Sequence, residues 1–151
     1  MHRCATRLRA LAAVAVLAPL LLTACRADPR IRYIPDGGTY TMEEALRRME
    51  AADTGAARAL SADEVPEARQ AALAALRSID ASASALADLI TSAFPFDTRS
   101  VPVLAEAAMV DGSEAWILVE AWGGREGALT SRRVWVLDRA SGGVVSSATG
   151  D

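Results

Sequence analysis

The chain has no lysine and no asparagine, a single histidine and two cysteines in 151 residues. All 16 of its basic residues are therefore arginine. Codon use in a GC-rich genome accounts for the missing lysine and asparagine, and no function follows from it. The other absences exclude more. The histidine is His2, and the cysteines are Cys4 and Cys25. From residue 26 onward there is no imidazole, amine side chain or thiol. That removes a Ser-His-Asp triad, a cysteine nucleophile, a Schiff-base lysine and any zinc site built on His or Cys. It also removes an internal disulfide, so stability has to come from packing. Positive charge is short as well. Beyond residue 25, thirteen arginines face all nineteen acids, a net side-chain charge of −6. A basic nucleic-acid footprint is absent, and no nucleic-acid partner is expected.

Residues 1–25 do carry a pattern. Arg3, Arg7 and Arg9 precede a 13-residue apolar stretch from Ala10 to Leu22, and Thr23-Ala24-Cys25 follow. A bilayer core of about 30 Å needs roughly 20 apolar residues in a helix, so this stretch fits a cleaved signal better than a permanent span. Leu22-Thr23-Ala24-Cys25 resembles the lipobox of bacterial lipoproteins, with Leu three residues before the Cys and small residues between. The resemblance covers residues 1 to 25. It implies cleavage before Cys25, a thioether-linked diacylglycerol on its sulfur, and often acylation, palmitate being typical, of the new amino terminus. Two or more acyl chains, at about 0.8 kcal/mol per buried CH₂, make a stable anchor. Position 26 is Arg rather than Asp, so the resemblance supplies no inner-membrane retention signal. The expected location is the extracytoplasmic side of a bacterial membrane, inner or outer being open.

The expected organisation is a signal peptide at 1–24, a lipidated Cys25 with a short tether to residue 40, and one α+β domain at 41–151. Within the tether, Arg30 to Ile34 reads as a short extended piece. Thr41-Met42-Glu43-Glu44 fits a capping box opening a helix to about residue 52. Asp53-Thr54-Gly55 is its stop. Ala72, Leu76, Ile79, Ala83, Leu86, Ile90 and Ala93 alternate steps of four and three, which predicts one long helix over about 63–94, bent near residues 80–84. Four antiparallel strands follow as a β-meander: 101–110, 114–122, 132–138 and 144–147. Asp111-Gly112 and Ser141-Gly142-Gly143 are the tight turns. The last hairpin, Val134 to Val145, resembles the closing hairpin of secreted PepSY-type domains.

Motif candidates are read against simpler roles. Glu43/Glu44 and Asp63/Glu64/Glu67 sit at helix starts, where acids complement the helix dipole. Asp36-Gly37-Gly38 and Asp111-Gly112 do not continue into the alternating oxygen ligands of a calcium loop and read as turns. The run 123–127 lacks the Lys-Ser/Thr ending of a phosphate loop. No catalytic residue, metal site or cofactor is assigned.

The sheet has the feature with functional content. In the second strand Ile117, Val119 and Ala121 point one way, and Trp116, Leu118 and Trp122 the other, so both faces are apolar. Either helices cover both, or one face awaits a partner. Pairing Leu118 with Trp135 also sets Trp116 opposite Leu137 and Glu120 opposite Arg133. On these grounds the binding candidates are Trp116, Trp122, Arg133 and Trp135, beside a loop from Gly123 to Ser131. The expected function is a membrane-anchored, non-enzymatic module of the cell envelope that holds a protein, peptide or small apolar ligand. Two alternatives stand beside it. One is a carboxylate-only enzyme or cation-binding protein. The other is a structural lipoprotein that associates through its long helix.

Overall fold

The computed structural model describes residues 30–94, 99–123 and 128–151. Its centre is a sheet of six strands: β1 (Arg32–Ile34), β2 (Thr39–Tyr40), β3 (Ser100–Val110), β4 (Ser113–Trp122), β5 (Ser131–Asp138) and β6 (Val144–Gly150). Four helices lie between β2 and β3: α1 (Met42–Arg47), α2 (Gly55–Arg58), α3 (Val65–Arg77) and α4 (Ala81–Ala93). Among the described residues no helix is long and apolar enough to cross a membrane.

Two parts of the expected architecture are corrected. The four-stranded antiparallel meander is instead a mixed six-stranded sheet in the order β1-β3-β4-β5-β6. β1 and β2 both pair parallel to β3, one after the other along the same edge, at Leu104–Glu106 and Met109–Val110. Residues 32–40, read as tether and turn, are thus a broken edge strand. Gly37 bridges the break, its N–H bonding the Ala107 carbonyl at 2.7 Å. A Cβ there would meet Glu106 Cγ at 2.5 Å and the Ala107 oxygen at 2.6 Å, which explains the glycine.

The long helix of 63–94 is also corrected, to two helices. Asp80 adopts extended backbone and its carboxylate accepts from the Ala83 N–H at 2.7 Å, capping a new helix. Arg77 Nε donates to Asp88 Oδ1 at 2.8 Å. In a continuous helix those two residues would be about 16 Å apart along the axis, so the chain has turned back. Ile79, counted on the apolar stripe, lies in the turn and is 49% exposed. The 3-4 spacing persists because each helix separately presents an apolar face to the sheet.

Local signals elsewhere act as the sequence implies. Thr41 and Glu44 form a reciprocal capping box on α1. Asp111 and Gly112 both have positive φ, the two-residue turn whose twist matches a β-hairpin. The β4–β5 register pairs Trp116 with Leu137, Leu118 with Trp135 and Glu120 with Arg133.

Both sheet faces are covered from within the chain. On the Ile117/Val119 face, α1 packs across β5 and β6, with Arg48 meeting Glu106 of β3. On the Leu118/Trp116 face lie α3 and α4: Arg69 meets Glu120, and Phe94 meets Trp135. Ala45, Ala72, Ala83, Ala87, Ala105 and Ala115 are buried. Such short side chains let helix and strand backbones approach closely.

Candidate functional site

Among the described residues, each face of the sheet buries one carboxylate. Glu120 and Glu106 are 2% and 1% exposed and stand within runs of apolar neighbours on adjacent strands. A buried charge of that kind survives only when paired and hydrogen-bonded.

Glu120 draws its partners from three other elements. Oε1 accepts from Arg69 Nη1 of α3 and from Ser100 Oγ of β3, both at 2.9 Å. Oε2 accepts from Arg133 Nη2 at 2.9 Å and Trp135 Nε1 at 3.0 Å, both on β5. Ser100 Oγ in turn accepts from Arg69 at 2.7 Å. Burial pushes the Glu120 carboxyl up, but the charges of Arg69 and Arg133 and the indole donor outweigh it. The group is held below the ordinary glutamate value.

A β-bulge makes this arrangement possible. The register of β3 against β4 shifts between Pro102 and Leu104, so one extra residue is accommodated in β3. Without it, Ser100 would share a face with Leu104 and Glu106. With it, Ser100 falls beside Glu120. Proline at a bulge loses no ladder hydrogen bond.

Three of the four binding candidates converge here. Arg133 lies over the ring of Trp135 at 4.7 Å and over that of Trp122 at 5.5 Å, so its guanidinium joins the two indoles while its Nη2 holds Glu120. Phe94, at the end of α4, packs on Trp135 with ring centroids 4.9 Å apart. Trp122, Arg133 and Trp135 are half-buried. Trp116 does not join them. It lies six residues along β4 from Trp122, about 20 Å. It is 6% exposed, beneath Arg139 at 5.6 Å, in a cavity also lined by Ser82 and Glu114. Cys25 and residues 124–127 of the loop from Gly123 to Ser131 lie outside the described residues.

Sequence reasoning missed Arg69, Ser100 and the whole of the Glu106 cluster. Glu106 Oε1 accepts from the Tyr40 hydroxyl at 2.7 Å and the Gly38 N–H at 3.3 Å. Oε2 accepts from Arg48 Nε at 2.9 Å, and Arg48 Nη2 lies 2.8 Å from it as an ion pair. This pairing raises the Tyr40 phenol above its ordinary value, chiefly through the hydrogen bond to Glu106, with burial adding. The available signal was a lone acid inside an otherwise apolar strand, which demands a basic partner from elsewhere.

Chemically the two carboxylates behave alike. Each oxygen of Glu120 accepts two hydrogen bonds, which fills its lone pairs, while Glu106 accepts three and is ion-paired to Arg48. Both carboxylates are buried and engaged by donors of the chain. Among the described residues no three of Asp, Glu, His or Cys converge as ligands. What reaches the surface is the arginine-linked indole pair.

No family model, curated protein or solved structure matches this chain.

Proposed function

We propose that the protein is a lipid-anchored module of the bacterial cell envelope, tethered through acyl chains on Cys25. In this reading it works without catalysis, by holding a protein or peptide partner at the Trp122–Arg133–Trp135 stack. The observation that carries the binding half is the stack itself. Large, rigid, half-buried aromatics and an arginine whose orientation is already set by Glu120 offer contact area and directed donors at little ordering cost. The burial and pairing of Glu106 and Glu120 argue against a carboxylate enzyme at these two sites. Association through a long helix has no element to use, since α3 and α4 are separate and packed on the sheet.

The anchoring half is tested by metabolic labelling with a fatty acid: label enters the wild-type protein and not Cys25→Ser. Equal labelling of both would sink it. The binding half is tested on detergent-solubilised membranes by comparing partners recovered with wild type and with Trp122→Ala. A partner lost from the variant, at a cost of roughly 1 to 4 kcal/mol in affinity, supports the stack. Undiminished recovery would remove it.

A further inference from the structure

A cavity lies away from the tryptophans, at the β1 edge of the sheet. Its volume is about 600 Å³, and it opens between β1, β3 and the segment joining α1 to α2. Its floor is apolar, from Ala52, Ala57 and Leu104, and its rim carries Arg30, Arg32 and Arg48. Arg32 pairs with Leu104 in the sheet and so belongs to the cavity's side.

The charges divide unequally. Arg48 has two nitrogens committed to Glu106. Asp53, also on the rim, accepts the Gly55 N–H at 2.9 Å. Arg30 and Arg32 are exposed, and neither has a hydrogen-bonding or ion-pairing partner among the described residues. With Glu106 and Asp53 set against the three arginines, one positive charge remains in excess. It does so in a chain whose charge beyond residue 25 is otherwise strongly negative.

Position supplies the second argument. Arg30 is five residues from Cys25, so a fully extended link holds it within about 18 Å of that residue. If Cys25 carries the anchor, the arginine rim stands at headgroup depth, where the available anions are phosphodiesters.

We infer that this cavity receives the phosphate-bearing headgroup of an anionic phospholipid. Arg30 and Arg32 contact the phosphate oxygens, and the alanine and leucine floor packs against the glycerol backbone. Forked guanidinium donors suit phosphate oxygens, and two otherwise unpaired arginines have no competing acceptor to give up. The inference rests on the lipoprotein reading for its choice of source; a soluble phosphate ester shares the chemistry but lacks the apolar part that the floor would bury.

The test uses the full chain in neutral-detergent micelles, read by amide NMR at Ala52, Ala57 and Leu104. Three probes are compared: phosphatidylglycerol doped into the micelle, phosphatidylcholine doped likewise, and inorganic phosphate. Phosphatidylglycerol is expected to shift the three signals saturably, and phosphatidylcholine to leave them in place. Inorganic phosphate should act only at concentrations about tenfold higher or more. Arg30→Gln with Arg32→Gln should weaken the phosphatidylglycerol response about tenfold while leaving sheet signals unchanged, and added salt should weaken it too. Equal response to both lipids, an unaffected double variant, or phosphate acting as strongly as the lipid would each overturn the inference. The intact mass of the Cys25 peptide is read in parallel. An unacylated Cys25 with full phosphatidylglycerol response removes the anchor and leaves the site; an acylated Cys25 with no response removes the site alone.

Discussion

The two faces of the sheet solve one problem in different ways. On each, a buried glutamate fastens a helical layer to the strands. Glu106 takes its partners from a single short stretch, Gly38, Tyr40 and Arg48. Glu120 takes its partners from α3, β3 and β5, with two arginines among them. The first is a single-segment latch, closing the broken edge strand and α1 against β3 across 58 to 68 residues of sequence. The second ties Glu120 to segments 13 to 51 residues away in sequence. Solvent divides them too: the Arg48 side chain is 26% exposed and Arg69 only 9%. Charge at a latch that can rehydrate on opening is cheap to lose. Charge at a sealed junction is not.

The largest effect expected follows from that contrast. Glu120→Gln leaves the buried Arg69 guanidinium and the half-buried one of Arg133 without a counter-charge, and should cost about 3 to 5 kcal/mol in urea unfolding. Glu106→Gln should cost less, about 1 to 3 kcal/mol, because Arg48 can reach water. Equal losses, or the reverse order, would break the comparison.

Gly37→Ala sharpens the latch side. The added methyl meets Glu106 and the Ala107 carbonyl, so β1 or β2 has to shift, at about 1 to 3 kcal/mol. Protection of the Ala107 region from hydrogen exchange should fall, with the β4–β5 ladder unaffected. Loss spread evenly over the sheet would show that the edge is not a separate unit.

The pH dependence should also divide by face. The folded pKa of Glu120 lies below its unfolded value of about 4.3, so the unfolded chain binds more protons in the window between them. The stability it contributes is fully present above about pH 5 and is lost as pH falls through the folded pKa. Tyr40 has the opposite sign. Its raised pKa means that stability is present below about pH 10 and lost as pH rises through the folded value. Tyr40→Phe should flatten the alkaline limb and leave the acid limb alone, and Glu120→Gln should do the converse. Trp122→Ala should have the smallest effect on stability, below about 1.5 kcal/mol, since it removes one half-buried ring and one cation–π contact. A larger loss would mark the ring as core rather than contact surface.

Much of the fold was legible where signals are local. The capping box at Thr41 needs only four consecutive residues. The Asp111-Gly112 turn needs two residues able to take positive φ. The β4–β5 register follows from period-2 alternation, because a slip by one residue would send Leu118 and Trp135 to opposite faces. The break after Ser78 was weakly legible: Asp80 is a good cap, but apolar spacing continues through it. The parallel edge was not legible at all. Three- and two-residue strands carry too little periodicity, and their pairing with β3 spans some 70 residues of sequence.

The candidate site divides along the same line. Glu120 opposite Arg133 and the nearness of Trp135 are consequences of strand alternation, which depends on covalent geometry alone. Trp116 was grouped with Trp122 because they share a face, but sharing a face does not bring residues together along a strand. Arg69, Ser100 and Arg48 came to their carboxylates only through tertiary structure. A bulge moved Ser100 across the sheet, and helices α3 and α1 brought arginines from outside it. By itself the sequence determined the four antiparallel strands β3 to β6, the facing residues of β4 and β5, the Thr41 cap and the need of each buried acid for a partner, since those depend on neighbours within a few residues. Which arginine answered which acid was decided by the tertiary structure alone, because only packing removes the water that would otherwise serve equally well.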